Sequence, residues 1–161
     1  MIAKKILLVG NFGVGKTSLI DRFVANEFLE TYISTIGVRV STKVILEENH
    51  EVKLLIWDVA GINENEKIPN TYFLGASAIL YVFDLTREET YKNIEKEIAS
   101  ILEVSDLKRI FIVGNKKDAL TSEELEVVLD SIPVNIDFLS SAKDDYNINK
   151  IFRRLAIFAL N

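Results

Sequence analysis

The sequence predicts an α/β fold: one doubly wound domain over residues 1–161, its mostly parallel six-stranded sheet carrying one antiparallel edge strand, with helices on both faces. Three observations carry that prediction. Apolar runs alternate with helix-periodic stretches, the order that gives right-handed crossovers and a covered parallel sheet. A glycine-rich loop, Gly10-Asn11-Phe12-Gly13-Val14-Gly15-Lys16-Thr17, separates the first apolar run from the first helical stretch. The remaining clusters of polar residues fall directly after strands, where open α/β sheets bind ligands.

Lys4 to Val9 reads as the first strand and Gly15 to Ala25 as a helix. Asn26 to Gly37 is polar and aromatic without a clear period. Val38 to Leu46 and Val52 to Asp58 form a hairpin through Glu47-Glu48-Asn49-His50. Gly61 to Pro69 is irregular and leads into a helix over Asn70 to Leu74. The continuous apolar run Ala78 to Asp84 is a buried strand. Glu88 to Leu102 carries Tyr91, Ile94, Ile98, Ile101 and Leu102 at helical spacing. Arg109 to Gly114 is a second buried strand. Thr121-Ser122-Glu123-Glu124 is a capping box opening a short helix over Glu123 to Leu129. Val134 to Leu139 is the last strand. Ile148 to Leu160 is an amphipathic helix with Ile151, Phe152, Leu155 and Phe158 inward.

The chain has 161 residues, 48% hydrophobic and 27% charged, the profile of a globular domain with a sizeable core. Its net charge of −5 repels nucleic acid and acidic membrane, so no nucleic-acid partner is expected. With no cysteine there is no disulfide, thiolate metal site or prenyl anchor. No signal-peptide pattern, no membrane-spanning run and no glycine at position 2 are present, so the expectation is a cytoplasmic protein without a direct lipid anchor.

The glycine loop fits G-x-x-x-x-G-K-[ST], the phosphate-binding P-loop, in its required strand–loop–helix context, which makes the fold a P-loop NTPase domain. Its plain alternative is a glycine turn. As a phosphate site, the backbone N–H groups of Gly13, Val14 and Gly15 curl around an anion, and Lys16, Thr17 and Ser18 open a helix toward it. Lys16 reaches the terminal phosphates and the Thr17 hydroxyl ligates Mg²⁺. In Trp57-Asp58-Val59-Ala60-Gly61, Asp58 is the second Mg²⁺ residue and the Gly61 N–H faces the γ-phosphate; the alternative is a carboxylate starting a turn. In Asn115-Lys116-Lys117-Asp118, the Asp118 carboxylate can accept from guanine N1–H and N2–H₂. Adenine, with an acceptor at N1, would leave it unpaired. The Lys116 stem can lie along the base. A solvated loop is the alternative here. Ser140-Ser141-Ala142-Lys143 could offer the Ala142 N–H to guanine O6, which brings Ser141, Ala142 and Lys143 into the base site.

The order GNFGVGKT, TIG, WDVAG, NKKD and SAK resembles the Ras superfamily of small GTPases over essentially the whole chain. The Rab group is the most similar, from Tyr32-Ile33-Ser34-Thr35-Ile36-Gly37-Val38 and the tryptophan before Asp58. The resemblance implies a switch binding GTP/GDP with Mg²⁺ and hydrolysing GTP. It makes Thr35 a ligand of Mg²⁺ and the γ-phosphate, and Phe28 the aromatic against the guanine. Segments 28–37 and 61–72 become the switches read by effector, activator and exchange-factor proteins. Lys16, Thr35 and Gly61 become the catalytic assignments. Trp57 and Tyr72 match aromatics that Rab proteins show to effectors, with core packing as their alternative role.

Two departures bear on turnover. The family's water-orienting glutamine is replaced by Ile62, which has no side-chain hydrogen bond to offer. Asn63 and Glu64 are possible substitutes, displaced by one and two residues. Phe12 stands where relatives keep a small residue, and its ring either fills the path of an activator's arginine or turns outward against the second switch segment. Arg22 and Arg39 are expected to be structural, leaving no arginine to act in cis. A catalytically inactive GTP-binding interaction module therefore stays open beside the GTPase. An ATP-using P-loop kinase is disfavoured by NKKD.

Overall fold

The structure is a computed structural model that describes residues 1–25, 30–33, 37–60 and 67–161, the side chains of 30–33 excepted. Seven strands are described: β1 Ile2–Val9, β2 Glu30–Ile33, β3 Val38–Glu47, β4 His50–Val59, β5 Ala76–Asp84, β6 Phe111–Asn115 and β7 Phe138–Leu139. The helices described are α1 Lys16–Val24, α2 Ile94–Val104, α3 Ser122–Ser131 and α4 Ile148–Leu160. The sheet order is β2-β3-β4-β1-β5-β6-β7. β4, β1, β5, β6 and β7 pair in parallel, and β3 is antiparallel to β4.

All six expected strands are present. The difference is β2, which pairs antiparallel with β3 from within the segment that shows no period, so β3 lies one strand in from the edge. The β3–β4 turn forms because Glu48 and Asn49 both adopt positive φ, 49° and 67°, which matches the twist of a tight hairpin.

β1 divides its side chains between two cores, as period-two alternation requires. Ile6 and Leu8 face α1 and α4, where Phe23 stacks on Phe152 with ring centroids 4.2 Å apart. Leu7 and Val9 face the other layer, with Ile94 and Ile101 of α2. Residues of both layers are fully buried, so neither face of the central strands meets water.

Three expected elements differ by more than a residue or two at an end. Asn70 to Leu74 is only a 3-10 turn over Asn70–Tyr72. The helix expected from Glu88 begins at Ile94, after a 3-10 turn at Glu88–Thr90. The buried Thr90 hydroxyl is the reason, since it donates to Arg87 O at 2.7 Å and accepts from Asp84 N at 3.0 Å, folding the chain back. The strand expected from Val134 is reduced to Phe138–Leu139. There the Asp137 carboxylate accepts from Ile112 N at 2.8 Å, taking the ladder position that a backbone carbonyl would hold.

Candidate functional site

Parallel pairing places the C-terminal ends of β1, β4, β5, β6 and β7 at one rim of the sheet, and the loops leaving them meet there. The loop after β1 needs its glycines. At Gly10 (φ 147°) a Cβ would stand 2.1 Å from Val82 O, and at Gly15 (φ 103°) one would stand 2.2 Å from Asn115 Nδ2. Gly15 is also the N-cap of α1, which has no side-chain cap and no acidic residue in its first turn. Among the described residues the first N–H groups of α1 thus have no side-chain cap, the arrangement that takes an anion.

Lys16 is buried, and its Nζ donates to Gly10 O at 2.9 Å and Asn11 O at 3.1 Å. Burial lowers its pKa to about 8, against the opposing pull of Asp58. Thr17 donates to Asp58 Oδ2 at 2.5 Å. Burial raises the Asp58 pKa, while the Thr17 hydroxyl and the Lys16 charge oppose that rise. A hydroxyl and a carboxylate in contact at the start of a helix are hard oxygen donors, the kind Mg²⁺ takes in small number beside substrate phosphates. The donor set therefore fits the ion. Ser18 lies on the first turn of α1.

Asn115, at the end of β6, joins three loops. Its Nδ2 donates to Val14 O at 2.9 Å, and its Oδ1 accepts from Ser140 Oγ at 3.0 Å and Ala142 N at 3.3 Å. Lys116, in the left-handed region at φ 66°, extends across to Gly13 O at 2.9 Å and Asp84 Oδ2 at 2.8 Å. Asp84 is fully buried. Burial would raise its pKa, yet Lys116 and Thr86 outweigh that and hold it below the ordinary carboxylate value. Asp118 accepts from Ser141 Oγ at 2.6 Å through Oδ1, which orients the carboxylate and leaves acceptor capacity on both oxygens. The Ala142 N–H, expected to be directed at a base, meets Asn115 Oδ1 at a long distance instead.

Asn115, Lys116, Asp118 and Lys143, with Gly15 and Ser18 among others, line a cavity of about 650 Å³, and Lys16, Thr17 and Asp58 lie outside its lining. A cavity of similar size, about 660 Å³, opens between α2 and residues 67–73. Gly10 and Asn11 of the glycine loop line it, but Lys16, Thr17, Asp58, Asn115 and Asp118 do not.

Phe28, Thr35 and Gly61, with Ile62, Asn63 and Glu64, lie outside the described residues. Phe12 is 73% exposed, so its ring turns outward. Arg22 is structural, donating to Ala142 O at 2.7 Å and Lys143 O at 2.8 Å, and Arg39 pairs with Asp21 at 2.6 Å. Trp57 and Tyr72 are half-buried and meet edge to face at 6.4 Å. Lys5 Nζ lies 3.9 Å over Trp57 and donates to Tyr72 O at 2.5 Å.

Sequence reasoning missed Arg87. From the loop after β5, its Nη1 donates to Phe12 O at 3.0 Å, so an arginine of this chain does sit on the glycine loop. The contact spans 75 residues, and no motif marks it.

A family model described as "Ras family" matches residues 5–160. Among curated proteins, Ras-related protein SEC4 of Saccharomyces cerevisiae is 38% identical over 158 residues, 94% of this chain and 73% of its own. GTP-binding protein ypt1 of Schizosaccharomyces pombe is 37% identical, over 92% of this chain and 75% of its own. Human Ras-related protein Rab-3A is 33% identical, over 94% and 71%.

Proposed function

This chain belongs to the Ras family, a Rab-like small GTPase by its relatives, and from that premise we propose a guanine-nucleotide switch that hydrolyses GTP slowly with Mg²⁺. One observation carries the reading. The Asn115 side chain ties the glycine loop, the NKKD segment and the SAK segment into one wall of a single cavity.

The roles follow from chemistry and position. Gly13, Val14 and Gly15 present N–H groups to the phosphates, and Lys16 exchanges its two carbonyl partners for phosphate oxygens. Thr17 and Asp58 would hold Mg²⁺, joined by Thr35 from the first switch segment. Bound Mg²⁺ supplies Lewis-acid neutralisation of phosphate charge. Asp118 takes the guanine N–H groups, Ser141 keeps that carboxylate oriented, and Lys116 flanks the base. Phe28, Ala142 and Lys143 complete the base site. Lys16, Thr35 and Gly61 stabilise charge on the γ-phosphate as water attacks its phosphorus and the bond to the bridging oxygen breaks, giving GDP and phosphate. Ordering of residues 28–37 and 61–72 by that phosphate, and their release after hydrolysis, is the signal read by effector, activator and exchange factor.

Ile62 sets the rate. Its side chain cannot orient the attacking water, so unassisted hydrolysis is expected below the roughly 10⁻⁴ s⁻¹ of Ras with its glutamine. Single-turnover hydrolysis of bound GTP tests this, with Ile62→Gln expected to accelerate the reaction. A wild-type rate well above the Ras figure, unchanged in the variant, would oppose it. The same residue favours a second reading, a module whose nucleotide is structural. Such a module would hold its nucleotide for many hours and bind a partner equally in GDP and GTP forms. Identifying the nucleotide extracted from the purified protein tests the class: GDP or GTP supports it, and ATP overturns it.

A further inference from the structure

Three consecutive peptide carbonyls of the glycine loop each accept from a different side chain. Arg87 Nη1 donates to Phe12 O at 3.0 Å, Lys116 Nζ to Gly13 O at 2.9 Å, and Asn115 Nδ2 to Val14 O at 2.9 Å. The carbonyl of one residue and the N–H of the next share a planar trans unit and point in opposite directions. Pinning the carbonyls of residues 12, 13 and 14 therefore aims the N–H groups of Gly13, Val14 and Gly15 each away from the donor on its own peptide unit. Two of the three donors are cations, and a cation on the oxygen polarises the whole peptide unit, which strengthens its N–H as a donor.

Lys116 and Asn115 belong to the NKKD segment. Arg87 does not, and its placement is separately built. Thr90 and Asp84 fold the loop after β5 into a turn, with Arg87 N donating to Asp84 O at 3.1 Å. Glu89 Oε1 accepts from Arg87 Nε at 3.0 Å and aims the guanidinium. Asn11 Nδ2 donates to Glu89 O at 3.1 Å, fastening the same turn to the glycine loop. A Cβ added to Gly13 would lie 3.2 Å from Arg87 Nη1, so the guanidinium also lies against that residue.

From this geometry we propose that Arg87 is a positioning residue of the phosphate site, fixing the Phe12–Gly13 peptide so that the Gly13 N–H addresses a nucleotide phosphate. It rests on the guanine-nucleotide reading above. Arg87 acts through the peptide and not by touching substrate, so its loss weakens the hold on both GDP and GTP.

The test is release of a fluorescent GDP analogue from the Mg²⁺-loaded protein into excess GDP, with the Gly13 amide proton followed by NMR in the same complexes. Arg87→Ala is expected to speed release about tenfold, the size of one charge-assisted hydrogen bond. It should also shift the Gly13 amide more than those of Val14 and Gly15, which a general loosening of the fold would not do. Glu89→Gln removes only the aiming carboxylate on an exposed side chain and should give a smaller change in the same direction, so the test survives if Arg87→Ala fails to fold. Release within twofold of wild type in every folded variant, with the Gly13 amide unmoved, overturns the role of Arg87. A wild-type protein that does not bind GDP overturns the nucleotide reading itself.

Discussion

Asn115 is 1% exposed and spends its amide on two other loops. Asn115→Ala should leave Val14 O and Ser140 Oγ without that partner and cost about 2–4 kcal/mol, read as a drop in urea midpoint at unchanged slope. A loss below about 0.5 kcal/mol would mean the loops hold themselves. Tyr81 is a different case. Its buried hydroxyl donates to the Glu97 carboxylate in the layer away from the site. Burial, then the hydrogen bond and charge of Glu97, raise its pKa above the ordinary tyrosine value. The native state thus keeps a proton that the unfolded chain releases near pH 10, so stability falls as pH rises past about 10, by at most about 1.4 kcal/mol per pH unit from this group. Tyr81→Phe should cost about 1 kcal/mol at neutral pH and remove that share of the alkaline slope. Urea unfolding of both proteins between neutral and alkaline pH checks it, and equal slopes would refute it. Asn115 was legible in the sequence because its segment is a motif with known chemistry. Arg87 was not, because a side chain reaching a backbone carbonyl 75 residues away leaves no local pattern.

Among elements, legibility follows how local the cause is. α3 is set by its own first turn, where Glu124 N donates to Thr121 Oγ1 at 3.2 Å and Thr121 N donates to Glu124 Oε2 at 2.8 Å. The same four residues announce this in the sequence. No residue of α3 is fully buried, so the cap is a large part of what holds its start. Thr121→Ala should cost about 1 kcal/mol, seen as a lower urea midpoint and faster amide exchange in the first turn of α3. α4 is legible for a similar reason, since its apolar stripe repeats at helical spacing; Ile151, Phe152 and Leu155 are buried as expected, while Phe158 is only partly buried. The elements that were misread depend on distant partners. Val134 to Leu139 is apolar enough for a strand, but Asp137 gives its carboxylate to Ile112. Pro133 also keeps Ile132 extended and ends α3 before it. β2 exists by pairing with β3, and nothing in its four residues alone requires a strand.

At the scale of the molecule, the candidate site is a property of the assembled sheet. Its side chains come from the ends of β4 and β6, the start of α1 and the loop after β7, and they converge only when those strands lie in the observed order. Backbone bonds between loops depend on the same order: Leu85 N donates to Asn115 O at 3.1 Å and Lys117 N to Ser140 O at 3.0 Å. An unfolded chain offers no comparable cavity, so a ligand held there stabilises the native state by mass action. GDP with Mg²⁺ at about one hundred times its dissociation constant should add about 2.7 kcal/mol. For a domain of this size that corresponds to a rise in Tm of roughly 5–10 °C. ATP at the same concentration should give little, because adenine leaves the Asp118 carboxylate unpaired while the phosphate contacts are alike. Asp118→Ala should bring the GDP shift down toward the ATP shift, with a smaller drop in the ligand-free Tm because the buried Ser141 hydroxyl loses its acceptor. Thermal scans of wild type and variant with each nucleotide make the comparison. Equal shifts from GDP and ATP in the wild-type protein would leave the phosphate cradle standing and remove the guanine assignment.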